Sequence, residues 1–492
     1  MGMMAALDAG FSSLRESNVM TIWGIITALG YLLTLVLIRW VLLMKKRQPA
    51  STIAWILAIV ALPFLGGVLF LFFGINRVKR RVASKQQAGR TIVRPRLEQD
   101  QALSGDALND QQRRLMRLAG RIAESEPTFG NKIELLTDTN RTLGLIEQAI
   151  LSAQESLHLE YYIWQPDRTG TRMRDLLVQK AKEGVTVRFL YDGIGSIRLS
   201  KRFLQPMREA GIHVASFLPD ATWRQRWSLN LRNHRKIVIV DGKTGFTGGM
   251  NVGDEYLGKN PHLGYWRDTH LKLIGPAVLQ LQHIFVEDWY YATGEKLTQP
   301  EIFPRPEEPG DVSAQVLAGQ PAGDAPVFLS LMFAAINEAR EQVTLATSYF
   351  VPPISLVTAL ETAAYSGVRV RLMLAGRSEY HWTVLAGRSY YESLLKAGAE
   401  IYEFEHGLQH SKTLTIDGVW SLVGTPNFDT RSLMLNFEVA VAMFDPQIAA
   451  QLEAHFEKDV KRANRIHLKS WLRRPTRHVL AESVCRLFTP VL

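Results

Sequence analysis

Two histidines in distant parts of the chain stand in the same local pattern, His-x-Lys-x4-Asp. The two copies consist of His234, Lys236 and Asp241 and of His410, Lys412 and Asp417. In each copy an asparagine follows at the same spacing, Asn251 in the first and Asn427 in the second. One short motif can arise by chance, whereas two copies with the same downstream asparagine indicate one active site built from two similar halves.

The residue types in these motifs suit chemistry at a phosphoryl group. Imidazole acts as a nucleophile and as a proton carrier near neutral pH, so one histidine could attack phosphorus while the other protonates the leaving oxygen. Lysine and asparagine donate hydrogen bonds to anionic oxygens and would stabilise the charge on the phosphate. We therefore expect no cofactor and no metal ion, because the fixed cations already supply positive charge.

Each motif is predicted to open a buried β-strand that ends in a tight turn. A histidine and a lysine two residues apart project from the same face of a strand. The apolar run Ile237–Val240 is typical of a strand buried on both faces. The Asp-Gly pairs at Asp241 and Asp417 predict chain reversals, after which Thr244–Thr247 and Trp420–Val423 would return towards the histidines. Both aspartates are kept as candidate site residues, although this position favours a turn and hydrogen-bonding role.

The remainder of the chain alternates helices and strands in two parallel halves. Helices are predicted at Leu143–Ala153 and Phe328–Arg340, and strands at Leu157–Ile163 and Val343–Phe350. Such alternation predicts an α/β fold with crossover connections and a mostly parallel or mixed sheet in each half. We expect half-domains at residues 129–305 and 306–492, divided in the stretch Pro300–Gly310. A polar connector with one helix would span residues 82–128.

The N-terminus contains two long apolar stretches, Val19–Ile38 and Ser51–Ile75. Each could cross a hydrocarbon core of roughly 30 Å as a helix, so residues 1–81 are predicted to form a membrane anchor with two transmembrane helices. Pro63, Gly66 and Gly67 interrupt the second stretch and predict either a kink or a re-entrant segment there. Basic residues after the second stretch outnumber those between the two, which favours a cytoplasmic position for the catalytic portion.

The composition of the chain limits the kinds of partner that it can bind. The 492-residue chain carries a formal net charge of +10 and a single cysteine, Cys485, which excludes an internal disulfide and a thiolate metal site. The charge indicates an anionic partner, either a membrane surface or nucleic acid. Two basic and aromatic stretches could be solvated helix faces or could contact anionic lipid headgroups. They comprise Trp223, Arg224, Arg226, Trp227, Arg232 and Arg235, and Lys461, Arg462, Arg465, Lys469, Trp471, Arg473, Arg474 and Arg477.

The duplicated motif resembles the signature of the phospholipase D superfamily, and its surroundings resemble the bacterial cardiolipin synthases of that superfamily. The resemblance covers nearly the whole chain. It is carried by Glu160–Trp164, Trp266–His270, Asp288-Trp289, Tyr349–Pro352, His410–Thr413 and Leu435–Glu438. It implies two phospholipase D-like half-domains with mixed sheets flanked by helices, preceded by a two-helix transmembrane hairpin. It also implies that a downstream carboxylate orients each histidine, Asp268 in the first half and Glu438 for His410 in the second.

The resemblance further implies a membrane-bound phosphatidyltransferase that makes cardiolipin and glycerol from two phosphatidylglycerol molecules. His234 would be the nucleophile that forms a phosphatidyl-histidine, and His410 would act as acid and then as base. The expected location is the bacterial inner membrane, as a multi-pass protein. A phospholipase D-type hydrolase, a nuclease and a non-catalytic lipid-binding scaffold are the alternatives. The apolar N-terminus favours lipid over nucleic acid as the partner, and a homo-oligomer is left open.

Overall fold

The structure is a computed structural model that describes residues 24, 28–43, 49–71, 108–217, 231–261, 263–321 and 326–487. Two compact units are present, Met1–Arg77 and Val78–Leu492. The basic and aromatic residues Trp223, Arg224, Arg226 and Trp227 lie outside the described residues, as do most of the connector and parts of both apolar N-terminal stretches.

The N-terminal unit is helical where it is described. Helix α1 covers residues 28–43, α2 covers Pro49–Ala61 and α3 covers Pro63–Leu69. The predicted interruption at Pro63 is found, since a proline cannot donate the backbone hydrogen bond that would continue a helix. Within the described residues no helix combines the length and the apolar character that a bilayer crossing needs. The expected two-helix transmembrane hairpin is therefore not seen there.

The larger unit is an α/β fold whose first half contains nine strands and five helices in the described part of the chain. The strands are β1 (Thr128–Leu136), β2 (Ser156–Tyr161), β3 (Thr186–Tyr191), β4 (His213–Ser216), β5 (Arg232–Asn233), β6 (Ile237–Val240), β7 (Thr244–Gly248), β8 (Trp266–Arg267) and β9 (His270–Ile274). The helices are α4 (Asp110–Ala123), α5 (Thr139–Ser152), α6 (Arg168–Lys182), α7 (Lys201–Glu209) and α8 (Ala277–Thr293).

The second half repeats this plan and adds elements at its end. Its strands are β10 (Val312–Gly319), β11 (Gln342–Thr347), β12 (Phe350–Val351), β13 (Arg369–Ala375), β14 (Glu400–Phe404), β15 (Leu408–Gln409), β16 (Thr413–Ile416), β17 (Trp420–Gly424), β18 (Phe428–Asp429), β19 (Asn436–Met443) and β20 (Ala463–Ile466). Its helices are α9 (Val327–Glu338), α10 (Ile354–Tyr365), α11 (His381–Arg388), α12 (Tyr391–Ala397), α13 (Thr430–Met434), α14 (Pro446–Val460), α15 (Leu468–Trp471) and α16 (Thr476–Leu487).

One continuous mixed sheet runs through both halves. Its order is β20-β14-β13-β11-β16-β17-β19-β10-β1-β9-β7-β6-β2-β3-β4, so that the two halves follow one another in mirrored order. The crossover pairs β2–β3 and β11–β13 are parallel, as predicted. We expected a separate sheet in each half. The halves instead join because β1 and β10 pair antiparallel across the boundary, with Asn131 opposite Val312.

The predicted helices are found with shifted ends. The helix expected from Leu143 begins at Thr139, because the Asp138 side chain accepts a hydrogen bond from the Arg141 backbone N–H and caps a turn that carries few apolar residues. The strand Ile237–Val240 is buried along its whole length, as its apolar run predicts. Burial of each such branched side chain contributes about 1.5–3 kcal/mol. The motif strands are therefore held in the sheet interior.

Candidate active site

The two motif histidines lie where short strands enter the sheet. His234 and Lys236 join β5 to β6, and His410 and Lys412 join β15 to β16. Each histidine is only 8% exposed, and both lysines are buried. The four side chains interact electrostatically across the halves. Burial is the main cause that lowers the pKa of each histidine, and the lysine of the other half adds to it, Lys412 at His234 and Lys236 at His410, so the two motifs lie close together.

A short ladder between the halves places the first histidine. Arg232–Asn233 of β5 pairs in parallel with Asn436–Phe437 of β19. The backbone N–H of His234 continues the ladder by donating to the Phe437 carbonyl at 2.9 Å. The next residue of β19 is Glu438, whose Oε2 lies 2.9 Å from Nδ1 of His234.

A second ladder places the other histidine in the same manner. Leu408–Gln409 of β15 pairs in parallel with Trp266–Arg267 of β8. The His410 N–H donates to the Arg267 carbonyl at 2.7 Å. Asp268 follows, and its Oδ2 lies 2.6 Å from Nδ1 of His410.

The carboxylates are therefore exchanged between the halves. Glu438 binds His234 and Asp268 binds His410, so both expected pairs, Asp268 with His234 and Glu438 with His410, are wrong. The reason is the register of the two inter-half ladders, which the order of residues along the chain does not reveal. Each carboxylate accepts a hydrogen bond from Nδ1 of its histidine, which favours the Nδ1–H tautomer. The unprotonated Nε2 of each ring is therefore the atom that can attack phosphorus or accept a proton.

The two carboxylates are held by different neighbours. Glu438 Oε2 accepts a hydrogen bond from Thr425 Oγ1 at 2.5 Å. Asp268 Oδ1 accepts from the Thr269 backbone N–H at 2.8 Å. Gly249 stands in the first half where Thr425 stands in the second, and a Cβ on Gly249 would lie 2.0 Å from Asp268 Oδ1. The Asp268 carboxylate thus occupies the space that a side chain at position 249 would fill.

Burial dominates the protonation of the histidines. It lowers the pKa of His234 to about 4, although Glu438 opposes this shift. Burial likewise lowers the pKa of His410 to about 4, with a contribution from Lys412 and opposition from Asp268. Burial by itself would raise the pKa of Glu438, but attraction to His234 and their hydrogen bond hold that pKa below its usual value. Both imidazoles are therefore neutral at pH 7 in the free protein.

The first lysine is shielded from solvent beside an aromatic ring. Lys236 Nζ donates to the His234 carbonyl at 2.7 Å and lies 5.2 Å from the ring centre of Tyr162. The same ring packs edge-on against the His234 imidazole, with 4.8 Å between ring centres. Burial lowers the pKa of Lys236 to about 7, partly opposed by Glu438. A bound anion would restore the full charge on this lysine.

The second lysine has a polar neighbour instead. Lys412 Nζ donates to Ser348 Oγ at 2.8 Å and also to the His410 carbonyl. Ser348 Oγ in turn donates to Asn427 Oδ1 at 2.9 Å. Burial lowers the pKa of Lys412 to about 8, partly opposed by Asp268. Ser348 follows β11 as Tyr162 follows the equivalent strand β2, so the two halves differ chemically at this position.

The two motif asparagines are buried beside the strand ends that support the lysines. Asn251 Oδ1 accepts from the Ile163 backbone N–H at 3.1 Å, and Asn427 Oδ1 accepts from Ser348. These bonds occupy the amide oxygens. The Nδ2 groups are the part of each side chain that can donate to a phosphate oxygen.

The motif aspartates lie at the opposite ends of β6 and β16 from the histidines. Asp241 accepts hydrogen bonds from the backbone N–H groups of residues 154, 155 and 156, at 2.8–2.9 Å. Asp417 accepts three equivalent bonds from residues 340, 341 and 342. Both residues adopt a positive φ, 52° and 50°. This geometry agrees with their interpretation as turn and hydrogen-bonding residues.

Arg235 stabilises the backbone around the site through hydrogen bonds to carbonyl groups. The second motif has no charged residue at the equivalent position. Its Nε donates to the Glu438 carbonyl at 3.1 Å, its Nη2 donates to the Gly319 carbonyl at 3.1 Å, and it pairs with Asp288. Burial raises the pKa of the neighbouring Glu160 well above its usual value, and repulsion from Asp288 adds to this effect. Asp288 balances the Arg235 charge in this buried cluster.

Several supporting residues were not identified from the sequence as part of the site, and Arg235, which we grouped with a basic stretch at the surface or against lipid headgroups, is instead buried at 1% exposure. Tyr162, Ser348, Gly249, Thr425 and Arg235 contact the motif residues or their carboxylates in the folded chain. A comparison of the two copies could have drawn attention to Gly249 and Thr425, which occupy the same position in each. The described residues contain no cluster of three or more His, Cys, Asp or Glu side chains that could hold a metal ion.

Comparisons with known proteins identify the family to which the chain belongs. A family model described as "Cardiolipin synthase, PLD-like domain" matches residues 146–289 and 332–460. A second, described as "Phospholipase_D-nuclease N-terminal", matches residues 32–74. The chain is 39% identical over 464 residues to a cardiolipin synthase of Geobacillus sp. (strain WCH70), which covers 93% of this chain and 92% of that relative.

A further relative and one solved structure extend the similarity. The chain is 37% identical over 495 residues to a cardiolipin synthase of Geobacillus kaustophilus (strain HTA426), with 100% of this chain and 97% of the relative covered. The crystal structure of phosphatidylserine synthase from Haemophilus influenzae Rd KW20 has a TM-score of 0.59, 15% sequence identity, and covers 77% of this chain and 98% of that one. At this identity the likeness shows the fold.

Proposed function

The chain belongs to the PLD-like cardiolipin synthase family, and on this basis we propose that it makes cardiolipin and glycerol from two phosphatidylglycerol molecules. One observation carries the proposal. Two buried histidines each bind a carboxylate through Nδ1, so that two Nε2 atoms, two lysines and two asparagine amides are left to bind and react with one phosphodiester. Such a set can transfer a phosphatidyl group through a covalent intermediate.

In the first step, Nε2 of His234 attacks phosphorus of the first phosphatidylglycerol. A P–N bond forms, the bond from phosphorus to the glycerol headgroup breaks, and His410 gives its Nε2 proton to the leaving oxygen. The pKa of His410 is about 4 in the free protein. The negative charge of the bound phosphodiester raises it, so that His410 is protonated when the acid is needed.

In the second step, neutral His410 removes the proton from a headgroup hydroxyl of the second phosphatidylglycerol. The hydroxyl oxygen attacks phosphorus, the P–N bond breaks, and cardiolipin is released while His410 regains its proton. Lys236 and Lys412 neutralise the phosphate oxygens in both steps. Asp268 and Glu438 hold the imidazoles in the Nδ1–H tautomer and stabilise each imidazolium as it forms.

We also infer that the N-terminal unit attaches the protein to a membrane. Residues 32–74 match the N-terminal family model, and this region contains the end of the apolar stretch Val19–Ile38 and nearly all of Ser51–Ile75. A phosphatidylglycerol substrate resides in a bilayer, so attachment would keep the site near its substrate. Two membrane crossings and a catalytic portion on the cytoplasmic side of the bacterial inner membrane stay predictions from the sequence.

The test uses purified full-length protein in vesicles that contain phosphatidylglycerol labelled separately in its headgroup glycerol and its acyl chains. We expect the acyl label of both lipid molecules in cardiolipin and the headgroup label divided equally between cardiolipin and free glycerol. His234→Ala and His410→Ala should abolish both, whereas His213→Ala, on the exposed edge strand β4, should keep both. Phosphatidic acid in place of cardiolipin would indicate a hydrolase, and no turnover by the wild type would contradict the proposal.

A further inference from the structure

The C-terminal helix α16 carries its apolar residues on the outside. Leu480, Val484 and Leu487 are 65%, 45% and 77% exposed, and their spacing places them on one helical face. Glu482 lies on the opposite face and is the buried residue of the helix. Ordinary surface helices bury their apolar face and expose their charges, so α16 has the reverse arrangement.

Polar contacts attach α16 to the remainder of the unit. Glu482 accepts a hydrogen bond from Arg474 at 2.9 Å, and Arg474 also covers the ring of Trp471, 4.3 Å from its centre. The Arg486 guanidinium lies 5.3 Å from the ring centre of Tyr390. The helix is therefore fixed through its charged side, and its apolar side stays turned away from the core.

The segment around this face is strongly basic. Between Lys461 and Leu487 the chain has eight lysines and arginines and one acidic residue, Glu482, which Arg474 neutralises. Lys469, Arg473 and Arg477 are exposed. In the helical repeat, Arg477 borders the apolar face of Leu480, Val484 and Leu487. An apolar stripe bordered by cations complements a surface with an apolar interior and anionic headgroups.

A neighbouring helix connects this surface to the active site. α11 packs against α16 and begins beside Tyr380 and Trp382, which are exposed aromatic residues with ring centres 6.2 Å apart. Burial raises the pKa of the Tyr162 phenol and the nearby Tyr380 adds to this effect, and Tyr162 packs edge-on against His234. Exposed aromatic residues of this kind suit the boundary between water and lipid.

We propose that α16 is a lipid-binding helix that lies in the surface of an anionic bilayer, with Leu480, Val484 and Leu487 below the headgroups and Lys469, Arg473 and Arg477 at the phosphates. This contact orients the catalytic unit so that the aromatic rim at Tyr380 and Trp382 faces the bilayer. Each exposed cation contributes about fivefold to affinity for an anionic surface.

The test places a pyrene label on α16 of the full-length protein in vesicles. Because Cys485 is the single cysteine, the labelled variants are Leu480→Cys and Leu487→Cys in a Cys485→Ser background. Vesicles contain brominated lipids, with either phosphatidylglycerol and phosphatidylcholine or phosphatidylcholine alone. The control label replaces Leu151, a 45% exposed leucine on α5.

We expect bromine quenching at least threefold stronger at positions 480 and 487 than at 151 in the phosphatidylglycerol vesicles. Replacing Lys469, Arg473 and Arg477 with glutamine should remove most of this difference. The matched control replaces the exposed Lys182, Lys201 and Arg208 with glutamine and should leave it unchanged. Since quenching needs no turnover, the result is independent of the proposed reaction.

Two outcomes would overturn the proposal. Quenching at 480 and 487 equal to that at 151 would show that α16 does not enter the lipid. Pyrene excimer emission without quenching would instead assign the apolar face to contact between two copies of the chain.

Discussion

Glu438 Oε2 lies 2.9 Å from Nδ1 of His234, although 204 residues separate the two along the chain. The reciprocal pair, Asp268 and His410, is 2.6 Å apart. Each half therefore lacks the carboxylate that orients its own histidine. A complete site requires both inter-half ladders to form, so correct docking of the halves is a condition for catalysis and not only for stability.

Exchange of Glu438 for glutamine should change the tautomer or the pKa of His234 and leave those of His410 unchanged. The amide keeps the shape but removes the charge that stabilises the imidazolium, and it can present the wrong hydrogen-bonding group to Nδ1. Turnover should fall roughly 10²- to 10⁴-fold. Nitrogen NMR of labelled histidines should show a changed tautomer or pKa for His234 in Glu438→Gln and for His410 in Asp268→Asn. A change at His410 in Glu438→Gln would contradict the exchanged pairs.

Protein quenched with denaturant at alkaline pH, where a P–N bond survives, should carry a phosphatidyl group on His234. With a lipid that has a p-nitrophenyl leaving group, departure needs no protonation, so His410→Ala should accumulate the intermediate while lacking the base for the second step. His234→Ala should carry no label. The measurement is mass spectrometry of the peptide that contains residue 234. Label that persists in His234→Ala and is absent in His410→Ala would reverse the two roles.

Affinity for phosphodiesters should fall at alkaline pH. Burial lowers the pKa of Lys236 to about 7 and that of Lys412 to about 8, so the free protein loses these charges as pH rises through that range. An anion then binds only with proton uptake. Above pH 8 the inhibition constant of a soluble phosphodiester should rise about tenfold per pH unit for each lysine that takes up a proton.

Arginine in the variant Lys236→Arg keeps its charge at all these pH values, so anion binding should take up about one proton fewer than in the wild type. The inhibition constant should then rise less steeply with pH, whereas the surface change Lys259→Arg should leave its pH dependence unaltered. A pH-independent inhibition constant in the wild type would exclude the lysines as the main source of binding.

Much of this site could be predicted from the sequence, because both motifs and their asparagines are local patterns. Apolar runs such as Ile237–Val240 and the Asp-Gly turns likewise depend on neighbours in the chain. The exchanged pairs depend on strand register between distant segments, which no local pattern records. The same limit applies to Arg235, whose role is defined by the carbonyls of Gly319 and Glu438.

The motif aspartates should matter for stability more than for chemistry. Asp241→Ala removes three hydrogen bonds to backbone N–H groups and leaves a non-glycine residue at positive φ, which together should lower stability by about 2–3 kcal/mol. Thermal unfolding should therefore begin at a lower temperature. Activity per folded molecule should stay within about twofold of the wild type, and a loss as large as that of His234→Ala would place Asp241 in the chemistry.

Gly249→Ala should inactivate the protein through a single methyl group. A Cβ at this position would lie 2.0 Å from Asp268 Oδ1, so the carboxylate must move and lose its hold on His410. We expect a fall in turnover close to that of Asp268→Asn, with little change in the melting temperature.

The matched change in the other half is Thr425→Ala, which removes one hydrogen bond to Glu438 but creates no clash. It should slow turnover roughly ten- to 100-fold, since a hydrogen bond to a charged carboxylate contributes about 1.5–3 kcal/mol. The double variant Gly249→Ala, Asp268→Asn should be no slower than either single variant, because both act through the same carboxylate. Full activity of Gly249→Ala would mean that Asp268 is free to shift without affecting His410.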